Sequence, residues 1–118
     1  MENTQSSHQW LNNLNQAYQC VMVLCHDIAK AIGHLHGLGF IHRDLKAANL
    51  LLNAIPINLS SNLAHIKLID FGSSAKIDEK DPENFVQPFV ETSNVGSMFW
   101  MACELFLGKK HSKKTGTW

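Results

Sequence analysis

Between Phe40 and Leu52 the chain reads FIHRDLKAANLLL, which gathers a histidine, two cations, a carboxylate and an amide into one short stretch. Only 17% of the 118 residues are charged, and a soluble domain can scatter such groups over its surface at no cost. Here His42, Arg43, Asp44, Lys46 and Asn49 interrupt an apolar run that resumes at Leu50-Leu51-Leu52. The pattern predicts a loop pinned between buried elements, with its side chains held in place for chemistry. Taken by itself, His42 reads as a core histidine rather than a catalyst.

Further residues say which chemistry. His42 to Asn49 matches the pattern H-R-D-L-x-x-x-N at every fixed position, with a lysine two residues after the aspartate. For six specified residues at equal frequencies, chance gives ~1 in 10^8 per position. Asp70-Phe71-Gly72 follows a short apolar run, and GSMFWMACE, Gly96 to Glu104, is similar to a segment that ends in A-P-E. In order and spacing these three motifs resemble the eukaryotic protein kinases, and the resemblance covers roughly Ala17 to Trp118. Lys46 and Ser97 stand where the serine/threonine class carries a lysine and a threonine or serine; tyrosine kinases usually place alanine or arginine at the first. The Phe99-to-Ala102 stretch is similar to the mitogen-activated kinase kinase kinase group.

The resemblance implies ATP-dependent phosphoryl transfer to protein hydroxyls, a reaction that needs positioning and charge neutralisation more than covalent help. It implies that Asp44 accepts the proton of the substrate hydroxyl and that Lys46 reaches the transferring phosphoryl group. It implies that Asn49 and Asp70 hold magnesium, for which both offer hard oxygen ligands. Arg43 would pair with a phosphorylated residue of the following loop, Thr92 or Ser93 by position, unless these are loop hydroxyls without a regulatory part. His42 and Phe71 resemble the family's packing residues.

The elements that must position these groups are few. From Gln16 to His36, Val21, Leu24, Ile28, Ile32 and Leu35 recur at spacings of three and four, which predicts a helix capped by Asn15 and stopped by Gly37 and Gly39. Residues 1–15, rich in Asn, Gln and Ser, read as a loose lead-in. Apolar runs at 50–53 and 66–69 predict a short antiparallel pair with the helix packed beneath it. Ala54 to Ala64, with Pro56 and a Ser-Ser-Asn cluster, reads as a loop, and Pro82 and Pro88 block long helices across 73–96. The expected fold is mainly α with a short antiparallel β pair (α+β). By resemblance it is part of a kinase large, C-terminal lobe with the small lobe absent. Residues 16–118 then form a partial kinase domain, with the catalytic loop at 42–49, D-F-G at 70–72 and the activation segment at 70–104.

Composition narrows the partners. Ten basic and ten acidic residues cancel, so no overall field draws nucleic acid or an anionic membrane. Lys109, Lys110, His111, Lys113 and Lys114 form one basic cluster, read as a solvated turn. Cys20, Cys25 and Cys103 are an odd set without close pairing or zinc spacing, which favours reduced thiols, the first two packed in a core. No apolar signal core opens the chain and no run approaches a membrane span. An intracellular, cytoplasmic protein with protein substrates is expected; oligomeric state is not legible.

Departures from the family pattern leave a second reading open. The 118 residues contain no G-x-G-x-x-G run and no V-A-I-K-type lysine. Cys103 replaces the proline of A-P-E, and Gly116 stands where the family carries an aspartate that braces the catalytic loop. The chain is read as a catalytic-domain segment of a serine/threonine kinase, inactive by itself. The alternative is a degenerate kinase relative acting at most as a binding or decoy module.

Overall fold

The computed structural model describes residues 3–53, 65–78, 80–81 and 96–115. Helix α1 spans Asn3–Gly37, 35 residues, or roughly 52 Å at 1.5 Å per residue. It begins well before Gln16, so the lead-in expected over residues 1–15 is helical from Asn3, and Asn15 lies inside the helix rather than at its cap. The reason is local. No proline or glycine occurs from Asn3 to Ile32, and once a helix is nucleated each further residue adds one hydrogen bond.

The packed part of α1 is its C-terminal half. Leu24, Ile28 and Leu35 are half-buried and Ile32 is buried, and this face meets β1 (Phe40–Ile41) and β3 (Ile66–Leu68). Val21, assigned to the same stripe from sequence, is exposed, and so are Trp10, Leu14 and Tyr18 further up the helix. Cys20 is half-buried and Cys25 exposed, so the latter is not the core residue expected. The helix ends as its glycines require. Leu38 N–H reaches His34 O at 3.1 Å, Gly39 N–H reaches His36 O at 3.1 Å, and Gly39 takes φ 78°, a value that costs glycine little.

Two antiparallel pairs come next. Strand β2 (Leu50–Leu52) pairs with β3 in the register Leu50↔Leu68, Leu51↔Lys67 and Leu52↔Ile66, within the expected ranges. A second pair joins β1 to β4 (Ala75–Lys76), with Phe40 opposite Lys76 and Ile41 opposite Ala75. Ile77 N–H extends that ladder to Gly39 O at 2.8 Å. Ile41, Ala75 and Ile77, each at most 2% exposed, make a small core beside the polar loop. A one-turn helix, α2 (Cys103–Phe106), lies beyond. The described residues thus form a mainly α fold with short antiparallel strand pairs, and the segment from His42 to Asn49 is held between β1 and β2.

Candidate active site

The polar loop leaves β1 at Ile41, whose complete burial draws His42 into the interior at 2% exposure. Arg43 then takes φ 66°, a left-handed value that L-residues adopt at a cost of roughly 1–2 kcal/mol. Both His42 ring nitrogens are used. Nδ1 accepts the Asp44 N–H at 3.3 Å and Nε2 donates to Ile69 O at 2.9 Å. The ring also meets Phe71 edge-on, with centroids 5.3 Å apart at 67°. His42 therefore ties residues 42–44 to residues 69–71 by packing and hydrogen bonds.

Asp44 is the hub of what remains. Its Oδ1 accepts the Ser97 main-chain N–H at 2.8 Å, and its Oδ2 lies 3.0 Å from Lys46 Nζ and 3.3 Å from Asn49 Nδ2. Lys46 Nζ also donates to Ser97 Oγ at 2.6 Å. Partial burial pushes the Asp44 carboxyl pKa up, but hydrogen bonds from Ser97 and Lys46 and the lysine charge outweigh it and hold the group below the usual carboxylate value. The result is an ionised acceptor whose lone pairs are fixed in direction.

Asn49 is 5% exposed and closes a 3-10 turn over Ala47–Asn49. Its Nδ2 is taken up by Asp44, through the main-chain O at 2.7 Å and through Oδ2, so its amide oxygen is the atom left to meet a cation. Asn49 O accepts the Ile69 N–H at 2.9 Å, which places Asp70 one residue from this tie. Asp70 also has left-handed backbone, φ 60°, and is exposed, with Oδ1 accepting the Gly72 N–H at 3.3 Å. An amide oxygen and a carboxylate are the hard donors magnesium takes, and Mg²⁺ keeps several waters or phosphate oxygens besides. The donor set fits that ion.

Other residues enter the site unforeseen. Ser97, read from sequence only as a class marker, supplies Asp44 with a main-chain donor and Lys46 with an acceptor. Gly96 makes this possible. It has φ 112°, and a Cβ there would stand 2.6 Å from Arg43 O, so no larger residue lets the two segments approach so closely. The sequence signal was the glycine immediately before a hydroxyl residue. Arg43 Nε donates to Ser73 O at 2.6 Å; Thr92 and Ser93, its expected partners once phosphorylated, lie outside the described residues, as does Gly116. The basic cluster is not a wholly solvated turn. Lys109, Lys110 and Lys114 are exposed, but His111 and Ser112 are buried. Burial, with the nearby Arg43 charge, pushes the His111 pKa down to about 4. Among the described residues Cys20, Cys25 and Cys103 form no disulfide, and no helix is long and apolar enough to cross a membrane.

Comparison with known proteins points to one family. The protein kinase domain model matches residues 2–118. The serine/threonine-protein kinase MST20 of Pyricularia oryzae is 35% identical over 95 residues, which cover 80% of this chain and 9% of the relative. The serine/threonine-protein kinase ste20 of Aspergillus fumigatus is 33% identical over 98 residues, 83% of this chain and 10% of the relative. STE20 of Yarrowia lipolytica is 35% identical over 95 residues, 80% of this chain and 7% of the relative. The chain spans about a tenth or less of the length of these relatives. The mitogen-activated kinase kinase kinase resemblance of Phe99 to Ala102 is compatible with them.

Proposed function

This chain belongs to the protein kinase family, serine/threonine type, and from that premise we propose that it carries the phosphoryl-transfer centre of an ATP- and magnesium-dependent kinase acting on serine or threonine hydroxyls of proteins. The observation that supports this best is the Asp44 carboxylate. It is held ionised and oriented by Ser97, Lys46 and Asn49. In this reading Asp44 binds the substrate hydroxyl and accepts its proton as the oxygen attacks in line. Lys46, anchored on Ser97, presents its ammonium to the transferring phosphoryl group. Asn49 and Asp70 hold magnesium, which when bound neutralises charge on the phosphates. Arg43 is the partner for a phosphate on Thr92 or Ser93 in the activation segment 70–104.

The 118 residues by themselves are proposed to be inactive. They contain no glycine-rich run to clamp phosphates and no V-A-I-K-type lysine, and positioning of this kind accounts for roughly 7–11 kcal/mol of a barrier. A degenerate product acting as a binding or decoy module is the second reading, favoured by Cys103 in place of the motif proline. An intracellular, cytoplasmic setting accords with three cysteines that form no disulfide among the described residues. Transfer of radiolabelled phosphate distinguishes the readings. Exchanged for the matching segment of an active serine/threonine kinase, residues 40–108 should support transfer that depends on Asp44. A folded but inert exchange would favour the degenerate reading.

A further inference from the structure

Outside the catalytic cluster, one carboxylate bridges α1 and β3. Asp27, on the packed half of α1, places Oδ2 2.7 Å from the main-chain N of His65 and 3.2 Å from its ring Nδ1. His65 is 4% exposed and immediately precedes β3. Its carbonyl accepts the Asn53 N–H at 2.6 Å, so both main-chain polar groups and one ring nitrogen of His65 are engaged. The main-chain bond from His65 comes first among the causes that hold the Asp27 pKa below the usual carboxylate value.

The residues beyond His65 give this clamp its consequence. Ile66–Leu68 pair with β2. Ile69 then donates to Asn49 O and accepts from His42 Nε2, both at 2.9 Å, and Asp70 comes next. A strand advances about 3.3 Å per residue, so a slip of one residue on β2 would carry Asp70 by that distance and turn Lys67 to the opposite face. The strands have three residues each, with one further main-chain bond at either end, and so short a pair opposes such a slip only weakly. Asp27 adds to the Asn53 bond on His65 O a second fixed point at the start of the strand, supplied from outside the β2–β3 pair.

We propose that Asp27 is a positioning residue for the metal-holding pair: clamped to His65, it fixes where β3 begins and, through Ile69, where Asp70 stands beside Asn49. The inference rests on the phosphoryl-transfer reading for the role it gives Asp70. The test uses the 118-residue chain, manganese as a spectroscopic stand-in for magnesium, and hydrogen exchange monitored by mass spectrometry. In electron paramagnetic resonance titrations Asp27→Ala should weaken Mn²⁺ binding about tenfold, the lower end of what is lost when groups supporting metal ligands are removed. Exchange across Ile66–Asp70 should quicken while Phe40–Ile41 and Ala75–Ile77 keep their protection. Asp27→Asn retains an oxygen that can accept the His65 N–H and should recover most of both effects. Unchanged Mn²⁺ affinity and unchanged exchange in Asp27→Ala would overturn the proposal. So would exchange that rises equally in the β1–β4 pair, since that marks a contribution to stability alone. Should the unsubstituted chain bind Mn²⁺ no better than its Asp70→Ala variant, the phosphoryl-transfer reading is what fails, and exchange at Ile66–Asp70 still decides the role of Asp27.

Discussion

Replacing Gly96 by alanine strikes the contact on which the catalytic cluster depends. The added Cβ would lie 2.6 Å from Arg43 O, below the 3.0 Å that real Cβ atoms respect, so the two backbones must separate by at least ~0.4 Å. The φ of 112° adds strain of roughly 1–3 kcal/mol for any L side chain. The neighbouring Ser97 N–H to Asp44 bond, 2.8 Å long, is the first to yield. A hydrogen bond to a charged group contributes about 1.5–3 kcal/mol, so strain and bond are of similar size, and Ser97 should detach locally while the rest of the fold stands. Asp44 would then keep the burial that raises its pKa and lose donors that lower it. Two measurements on Gly96→Ala check this: hydrogen exchange at the Ser97 amide, expected to quicken, and NMR titration of the Asp44 carboxyl, expected to move up in pH. An alanine variant with Ser97 still protected and Asp44 titrating as before would refute the reasoning.

Other perturbations have equally definite outcomes. Ile41→Ala removes a fully buried side chain from a three-residue core; such truncations cost about 2–5 kcal/mol, and the urea midpoint should fall accordingly, whereas a shift near zero would mean that β1 carries no core. His111 has a folded pKa of about 4, against about 6.5 for an unfolded histidine. The unfolded chain therefore binds more protons between those values, and stability should fall as pH drops from 6.5 toward 4. His36 is shifted down too, by burial and then by Lys113, so His111→Phe should reduce that pH dependence without abolishing it, as thermal melts across the range would record. Trp10, Leu14 and Tyr18 are each more than half exposed on one helix, a patch that favours association. Sedimentation should show self-association that Leu14→Lys with Tyr18→Lys diminishes, and a monomer at all concentrations would contradict it.

Sequence makes the chemistry legible because chemistry resides in side-chain identity. The resemblance to kinase motifs singles out Asp44, Lys46, Asn49 and Asp70 for the proposed chemistry, and two short apolar runs point to the β2–β3 pair. What stays hidden depends on distance through space. Ser97 is 53 positions from Asp44, and nothing in local pattern says that its N–H would point at that carboxylate. Strands β1 and β4 have two residues each, too few for a period of two to show. The bond between Asp27 and His65 joins α1 to the residue before β3 across 38 positions of sequence, so neither residue signals the other. Residues 1–15 look loose because they are polar, yet polarity does not prevent helix where no proline or glycine interrupts it. His111 sits in a run of lysines that reads as solvated, and its burial is set by the packing of the final described segment against Arg43 and its neighbours.

Residues 40–108 are proposed to hold a phosphoryl-transfer centre built on Asp44. The most direct measurement exchanges this segment into an active serine/threonine kinase and tracks radiolabelled phosphate onto a protein substrate, with the 118-residue chain and an Asp44→Asn exchange assayed beside it. The account predicts no transfer by the 118-residue chain alone and measurable transfer by the exchanged enzyme. Asn in place of Asp44 should lower that transfer by about 10²–10⁴-fold, the contribution of a positioned general base. A folded exchange that transfers nothing, or one whose rate is indifferent to Asp44, would contradict it.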